Sequence, residues 1–269
     1  MCQRVLIPSR SSGDYRGSET GFILRFEEDM QRILGNSEFA LPFWDWTADA
    51  KLPDPEQSLI WKADIMGGKG SPVTTGPLIR RNWILADGTY LEREFATDGI
   101  TLPSQNDVDF ALSQRVYDSS PWNHQSPTGF RNVLEGWINI PDSVAPNLHN
   151  RVHVWIGGSM SPMTSPNDPV FFLHHSNIDR LWSIWQDKNP KELDIRTTTY
   201  PRSRMLQGHN LNDYMTPWDR GRDLIRPADV LDYRELGYSY EVVDTESQPM
   251  TVRSGAHCES TSYMWRWDN

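Results

Sequence analysis

Residues 148–186 read LHNRVHVWIGGSMSPMTSPNDPVFFLHHSNIDRLWSIWQ, and local chemistry alone draws two helices through them. The first is NLHNRVHVWIGG, where Asn147 is placed to cap the start and the Gly157-Gly158 pair to end it. Asparagine accepts from the free N–H groups of a first turn, and glycine enters the left-handed region without a Cβ clash. The second follows SPNDP: Asn167 or Asp168 caps, Pro169 takes the first-turn position where its missing N–H is harmless, and Asn189-Pro190 stops the helix. In the first helix His149 and His153 stand at i and i+4, so both imidazoles leave one face about one turn apart. In the second, Phe171, His175, Ile178, Trp182 and Trp185 share one stripe at the helical period. That stripe points His175 into the core with the apolar side chains and rotates His174 off it.

A histidine on an inner face must find partners for its ring nitrogens, since burying them unpaired costs on the order of 1–3 kcal/mol. A metal ion shared by His149, His153 and His175 is one such partner; two ordinary histidines on a half-buried face are the alternative for the i, i+4 pair. Three neutral imidazoles suit copper, zinc, iron or nickel, whereas magnesium and calcium take oxygen. Asp179, one turn beyond His175, is expected in a salt bridge to Arg151 or Arg180 that pins the two helices, with orientation of a ligand imidazole as the other reading. Glu135, in NVLEGWIN, is either a solvated carboxylate or a proton acceptor. In the second case it and the Asn150 amide hold a water near the metal and take a proton from it or from an acidic substrate.

Working outward, GFILRFEEDMQRILGN reads as an amphipathic helix with Phe22, Ile23, Phe26, Met30, Ile33 and Leu34 buried and Gly35-Asn36 as its stop. A further helix starts near Ser126 or Thr128 and runs through FRNVLEGWINI, and ADVLDYRELGYSYEVVD holds a short helix and a strand. Residues 47–126 are rich in Pro and Gly and read as loops with one hairpin turning at Ala86-Asp87-Gly88. The expected fold is mainly α: a central antiparallel bundle of about four helices with histidines facing inward, wrapped by long loops. Trp44, Trp46, Trp137, Trp155, Trp182 and Trp185 are expected in its core. One domain, residues 21–245, is expected between an atypical segment 1–20 and a polar tail 246–269.

The formal charge of −10, from 36 acids against 26 bases without a basic cluster, argues against a nucleic-acid or anionic-lipid partner. No apolar run approaches the roughly 18–20 residues of a membrane helix. Val5 to Ile7 is too short for a signal-peptide core, so a cytoplasmic location is expected. Cys2 and Cys258 alone make neither a disulfide framework nor a thiolate metal site.

The quoted stretch resembles the second copper-binding half (CuB) of tyrosinases and catechol oxidases, the bacterial tyrosinases in particular. FILRFEEDMQ followed by LPFWDW, DPEQSLIWKADIMGGKG, FRNVLEGWINI and ELGYSYE also have counterparts, so the resemblance spans about residues 22–244. It implies that His149, His153 and His175 are CuB ligands, that Glu135 and Asn150 are the water-holding pair, and that Phe171 packs over the site. Val154 and Met163 fall where substrate-contacting side chains vary. It also implies oxidation of monophenols and o-diphenols to o-quinones with O2, with a copper-delivery partner as an accompanying expectation.

The family holds two coppers, each on three histidines, and the CuA histidines lie before and at the start of the FILRFEEDMQ helix. Here that place reads Gly17-Ser18-Glu19-Thr20, with Glu19 at the position of the last CuA histidine, and none of the seven histidines precedes His124. One copper is therefore expected in this chain, with phenol oxidation impaired. Three accounts stay open: residues 1–20 are unrelated to the family, the chain is a divergent single-metal member, or Glu19 or Asp14 contributes a carboxylate to a second metal. A mononuclear copper or zinc protein without oxidase activity is the alternative function. His124, His209 and His257 are expected at the surface.

Overall fold

The computed structural model describes residues 18–138, 148–204, 206, 208–215 and 224–240, the first five by backbone alone. Its α-helices are α1 (Ser18–Leu34), α2 (Trp46–Asp49), α3 (Gln105–Leu112), α4 (Phe130–Glu135), α5 (His149–Ile156) and α6 (Val170–Lys188). Short 3-10 turns and three isolated β-bridges complete the described residues, which form no strand. The chain is mainly α, as expected.

α6 organises the rest. Asp168 receives the Val170 N–H at 3.1 Å, and Pro190 opens a new turn just past Asn189. Its middle is buried on every side, from Phe171, Leu173, His174 and His175 to Ile178, Leu181 and Trp185, the pattern of a helix enclosed by neighbours. α1, α3 and α5 all touch it, α4 touches α3 and α5, and Phe26 of α1 stacks on Phe172 at 3.9 Å.

Three expectations need correction. The last turn of α1 is open, with Ile33 72% and Leu34 46% exposed; periodicity gives the direction of a face, not the length over which a neighbour covers it. α4 begins at Phe130 rather than near Ser126 and ends at Gly136, whose φ of +97° breaks the helix after less than two turns. Trp137, just past that break, is 41% exposed, unlike the buried Trp44, Trp46, Trp155 and Trp185. The strand expected in ADVLDYRELGYSYEVVD runs into residues 241–244, which lie outside the described residues. Asn147 and His257 lie outside the described residues.

The long stretch between α2 and α4 is mostly loop, as its composition implies, and it lies against the other end of α5. Trp44, Trp61, Phe95 and Trp155 pack together there, with ring centroids 4.5–6.3 Å apart. The hairpin turn at residues 85–89 closes through Leu85 N–H to Thr89 O at 2.9 Å, with Ile84 bridged to Tyr90.

Candidate metal centre

α5 starts abruptly. Leu148, fully buried, sits at φ +51°, ψ −106° immediately before His149. From there the i, i+4 spacing does what it predicts. His149 Nε2 and His153 Nε2 are 3.1 Å apart, and His175 Nε2, arriving from α6, is 3.3 Å from the first and 3.1 Å from the second.

The outward nitrogens decide what this triangle presents. His153 Nδ1 lies 2.7 Å from the Met160 carbonyl, and His149 Nδ1 lies 3.1 Å from Asn150 Oδ1 and 3.3 Å from Glu135 Oε2. These acceptors assign the ring proton to Nδ1 in both, so each Nε2 turns a lone pair into the triangle. For a tetrahedral metal with bonds of about 2.0–2.1 Å, neighbouring ligand nitrogens stand about 3.3 Å apart. The three histidines therefore fit a copper or zinc ion in both spacing and donor chemistry.

Burial, reinforced by the neighbouring His149, pushes the His153 pKa down to about 3. The ring is thus held neutral, the form that binds metal. Phe171 stacks on the His175 ring at 3.9 Å and meets His153 edge-on at 6.0 Å, so it walls the centre on the α6 side. Val154 and Met163 are 40% and 46% exposed, which places them at the surface.

A fourth histidine joins the group. His174 is fully buried rather than turned away from the interior, and one ring nitrogen from each of His149, His153, His174 and His175 lies within 4.8 Å of the others. Its Nε2 stands 3.2 Å from the His149 carbonyl oxygen, and burial, with His153 and His149 beside it, drives its pKa well below 6.5. A stripe argument misses it because α6 is enclosed all round; the histidine doublet was the available signal.

Asp179 does not bridge the helices through Arg151 or Arg180. It accepts from Tyr238 Oη at 3.0 Å and Tyr240 Oη at 2.6 Å, while Arg151 binds Asp107 and Thr101 and Arg180 binds Asn177. The tyrosines reach it from about sixty residues downstream, which helical spacing cannot foresee. His124 is exposed and touches the Trp137 edge, and His209 is partly exposed; neither belongs to the cluster.

A family model described as "Common central domain of tyrosinase" matches residues 21–188. The chain belongs to the tyrosinase family. The tyrosinase of Streptomyces lincolnensis is 41% identical over 223 residues, which covers 79% of this chain and 73% of the relative. That of Streptomyces antibioticus is 38% identical, over 82% of this chain and 76% of the relative. The fold is similar to a polyphenol oxidase from Thermothelomyces thermophila, with a TM-score of 0.53 at 20% identity over 79% of this chain and 68% of the other. None of the seven histidines precedes His124, and among the described residues the four-histidine group is the one set of three or more candidate ligands. No helix of the described residues is long and apolar enough to cross a membrane.

Proposed function

We propose that this chain is a tyrosinase-type copper oxidoreductase for small phenols that carries one copper, on His149, His153 and His175, and that by itself hydroxylates phenols little or not at all. The observation that carries this reading is the triangle of three Nε2 atoms at 3.1–3.3 Å, with at least two lone pairs turned inward by the outward hydrogen bonds of His153 to Met160 O and of His149 to Asn150 Oδ1. Membership of the tyrosinase family makes copper the first choice of metal and phenols with O2 the first choice of substrates. Copper bound there supplies a redox-active Lewis acid for a phenolic oxygen.

The chain's own residues have distinct tasks in this reading. Glu135 holds His149 in its metal-binding tautomer and, with Asn150, offers oxygen acceptors for a water or for the proton of an approaching phenol. Phe171 excludes water from one side of the centre. Val154, exposed on α5, and Met163, exposed after it, contact the substrate ring. Oxidation in the wider family is shared between two coppers, and the absence of histidines before His124 supports impairment. A copper-delivery partner remains part of the proposal.

The four-histidine group favours a second reading, a mononuclear copper or zinc protein without oxidase activity. Copper(II) added to the purified chain, with metal per chain and quinone formation from a monophenol followed together, tests the first. One copper and negligible turnover are expected; two coppers with robust turnover would overturn it. Turnover of an o-diphenol separates the two readings, since the second allows none.

A further inference from the structure

The two histidine-bearing helices are tied together at the end away from His149 by residues 92–96. Glu94 and Phe95 donate their backbone N–H groups to the Ile156 carbonyl at 2.9 and 3.2 Å, and Ala96 donates to Trp155 at 2.7 Å. They thereby satisfy carbonyls that the C-terminus of α5 leaves free. Ser159 N–H reaches the Glu92 carbonyl at 2.8 Å, and Glu92 N–H returns to Ser159 Oγ at 3.0 Å. Next along the chain is Met160, whose carbonyl fixes the His153 ring. The approach is tight: a Cβ on Gly158 would fall 2.3 Å from the Glu92 carbonyl oxygen.

From the middle of this segment Arg93 turns inward. Its Nε and Nη2 donate to the two oxygens of Asp168 at 2.7 and 2.8 Å, and Nη1 donates to the Met66 and Gly67 carbonyls at 2.8 and 2.9 Å. Asp168 also receives the N–H of Val170, the first residue of α6. Both charged side chains are wholly buried.

We propose that Arg93 is a positioning residue of the metal centre. Through its own segment it holds the end of α5 and the carbonyl that orients His153; through Asp168 it holds the start of α6 and so the placement of His175. The link between the helices offers only two short 3-10 turns, Gly158–Met160 and Ser165–Asn167, which do not set a helix separation alone. A guanidinium fork fixes distance and plane together. A buried ion pair adds little net stability over an apolar pair of the same size, so its contribution here is geometric. A site of this kind tolerates displacements of only about 0.5 Å.

The inference rests on the copper reading above, and one experiment separates the two. Copper(II) is titrated into the full chain and into the double variant Arg93→Met, Asp168→Asn, in which no charge is left buried and the introduced amide oxygen still accepts from the Val170 N–H. The metal-free unfolding transition and the copper EPR spectrum are recorded for each. The double variant is expected to unfold cooperatively, bind copper about 10–100-fold more weakly, and show altered copper hyperfine splitting. Arg93→Lys keeps the charge without the fork and is expected to shift the spectrum while staying folded. If the variants lose stability but keep the wild-type affinity and spectrum, Arg93 is merely structural and the proposal fails. If the wild-type chain takes up no copper, the metal reading itself falls.

Discussion

At His149 the Nδ1–H donates to Asn150 Oδ1 at 3.1 Å, and the Glu135 carboxylate lies 3.3 Å from the same nitrogen. The carboxylate places a negative charge beside that N–H and so favours the same tautomer. It also raises the basicity of the metal-facing nitrogen. Glu135→Gln keeps an acceptor and removes the charge, so copper affinity is expected to fall about 10–100-fold with the fold unchanged. Competition with a chelator of known affinity measures this, and an unaltered affinity would return Glu135 to the role of a surface carboxylate. His149 and His153 were legible as a pair because four residues on a helix is a distance the backbone fixes. His174 was not, since whether a side chain off the apolar stripe is buried depends on how many neighbours surround the helix.

Among the elements, α6 was legible because its start and stop are local chemistry, an acidic residue and a proline before it and an Asn-Pro end, and α5 because of its i, i+4 pair and the glycine pair that ends it. The open last turn of α1 was not, because coverage by a neighbour is not local; α4 stops at a local signal, Gly136, that the helical reading ran through. The same holds for what pins α5. Arg151 donates to the Thr101 carbonyl at 2.8 Å, to Thr101 Oγ1 at 2.7 Å and to Asp107 at 3.3 Å, so it fastens α5 to α3 rather than to α6. Burial lowers its pKa, an effect that Asp107 opposes. Arg151→Met leaves Asp107 and the Thr101 carbonyl without their cation. A cost of about 3 kcal/mol is expected, at the low end for breaking a buried pair because Asp107 is partly solvated. Urea unfolding measures it; a loss below about 1 kcal/mol would show that the α3–α5 contact does not depend on this arginine.

For the whole molecule, the neutral histidine group couples folding to pH. His153 is protonated in the fold only near pH 3, whereas an unfolded imidazole takes its proton near 6.5. Between these values the unfolded chain binds more protons, so stability falls as pH drops from 6.5 toward 3. Asp49 acts in the opposite sense: burial lifts its pKa from 3.8 to about 6, so its contribution declines as pH rises through that window. The histidine shift is the larger and His174 moves the same way, so a net loss of stability on acidification is expected for the copper-free chain. Denaturant titrations from pH 7 to 4 check it, and a flat profile would mean that the histidines are solvated. Determined by the sequence alone were the helical class, the two histidine-bearing helices, the three histidines that meet, and the absence of histidine before position 124. These follow from periodicity, capping and composition, all of which act within a few residues. Only the tertiary structure decided that His174 joins the group, that Tyr238 and Tyr240 rather than Arg151 or Arg180 hold Asp179, and that Arg93 links the ends of α5 and α6. Those contacts join residues some 25 to 75 positions apart, and no local pattern encodes which distant side chain fills a given space.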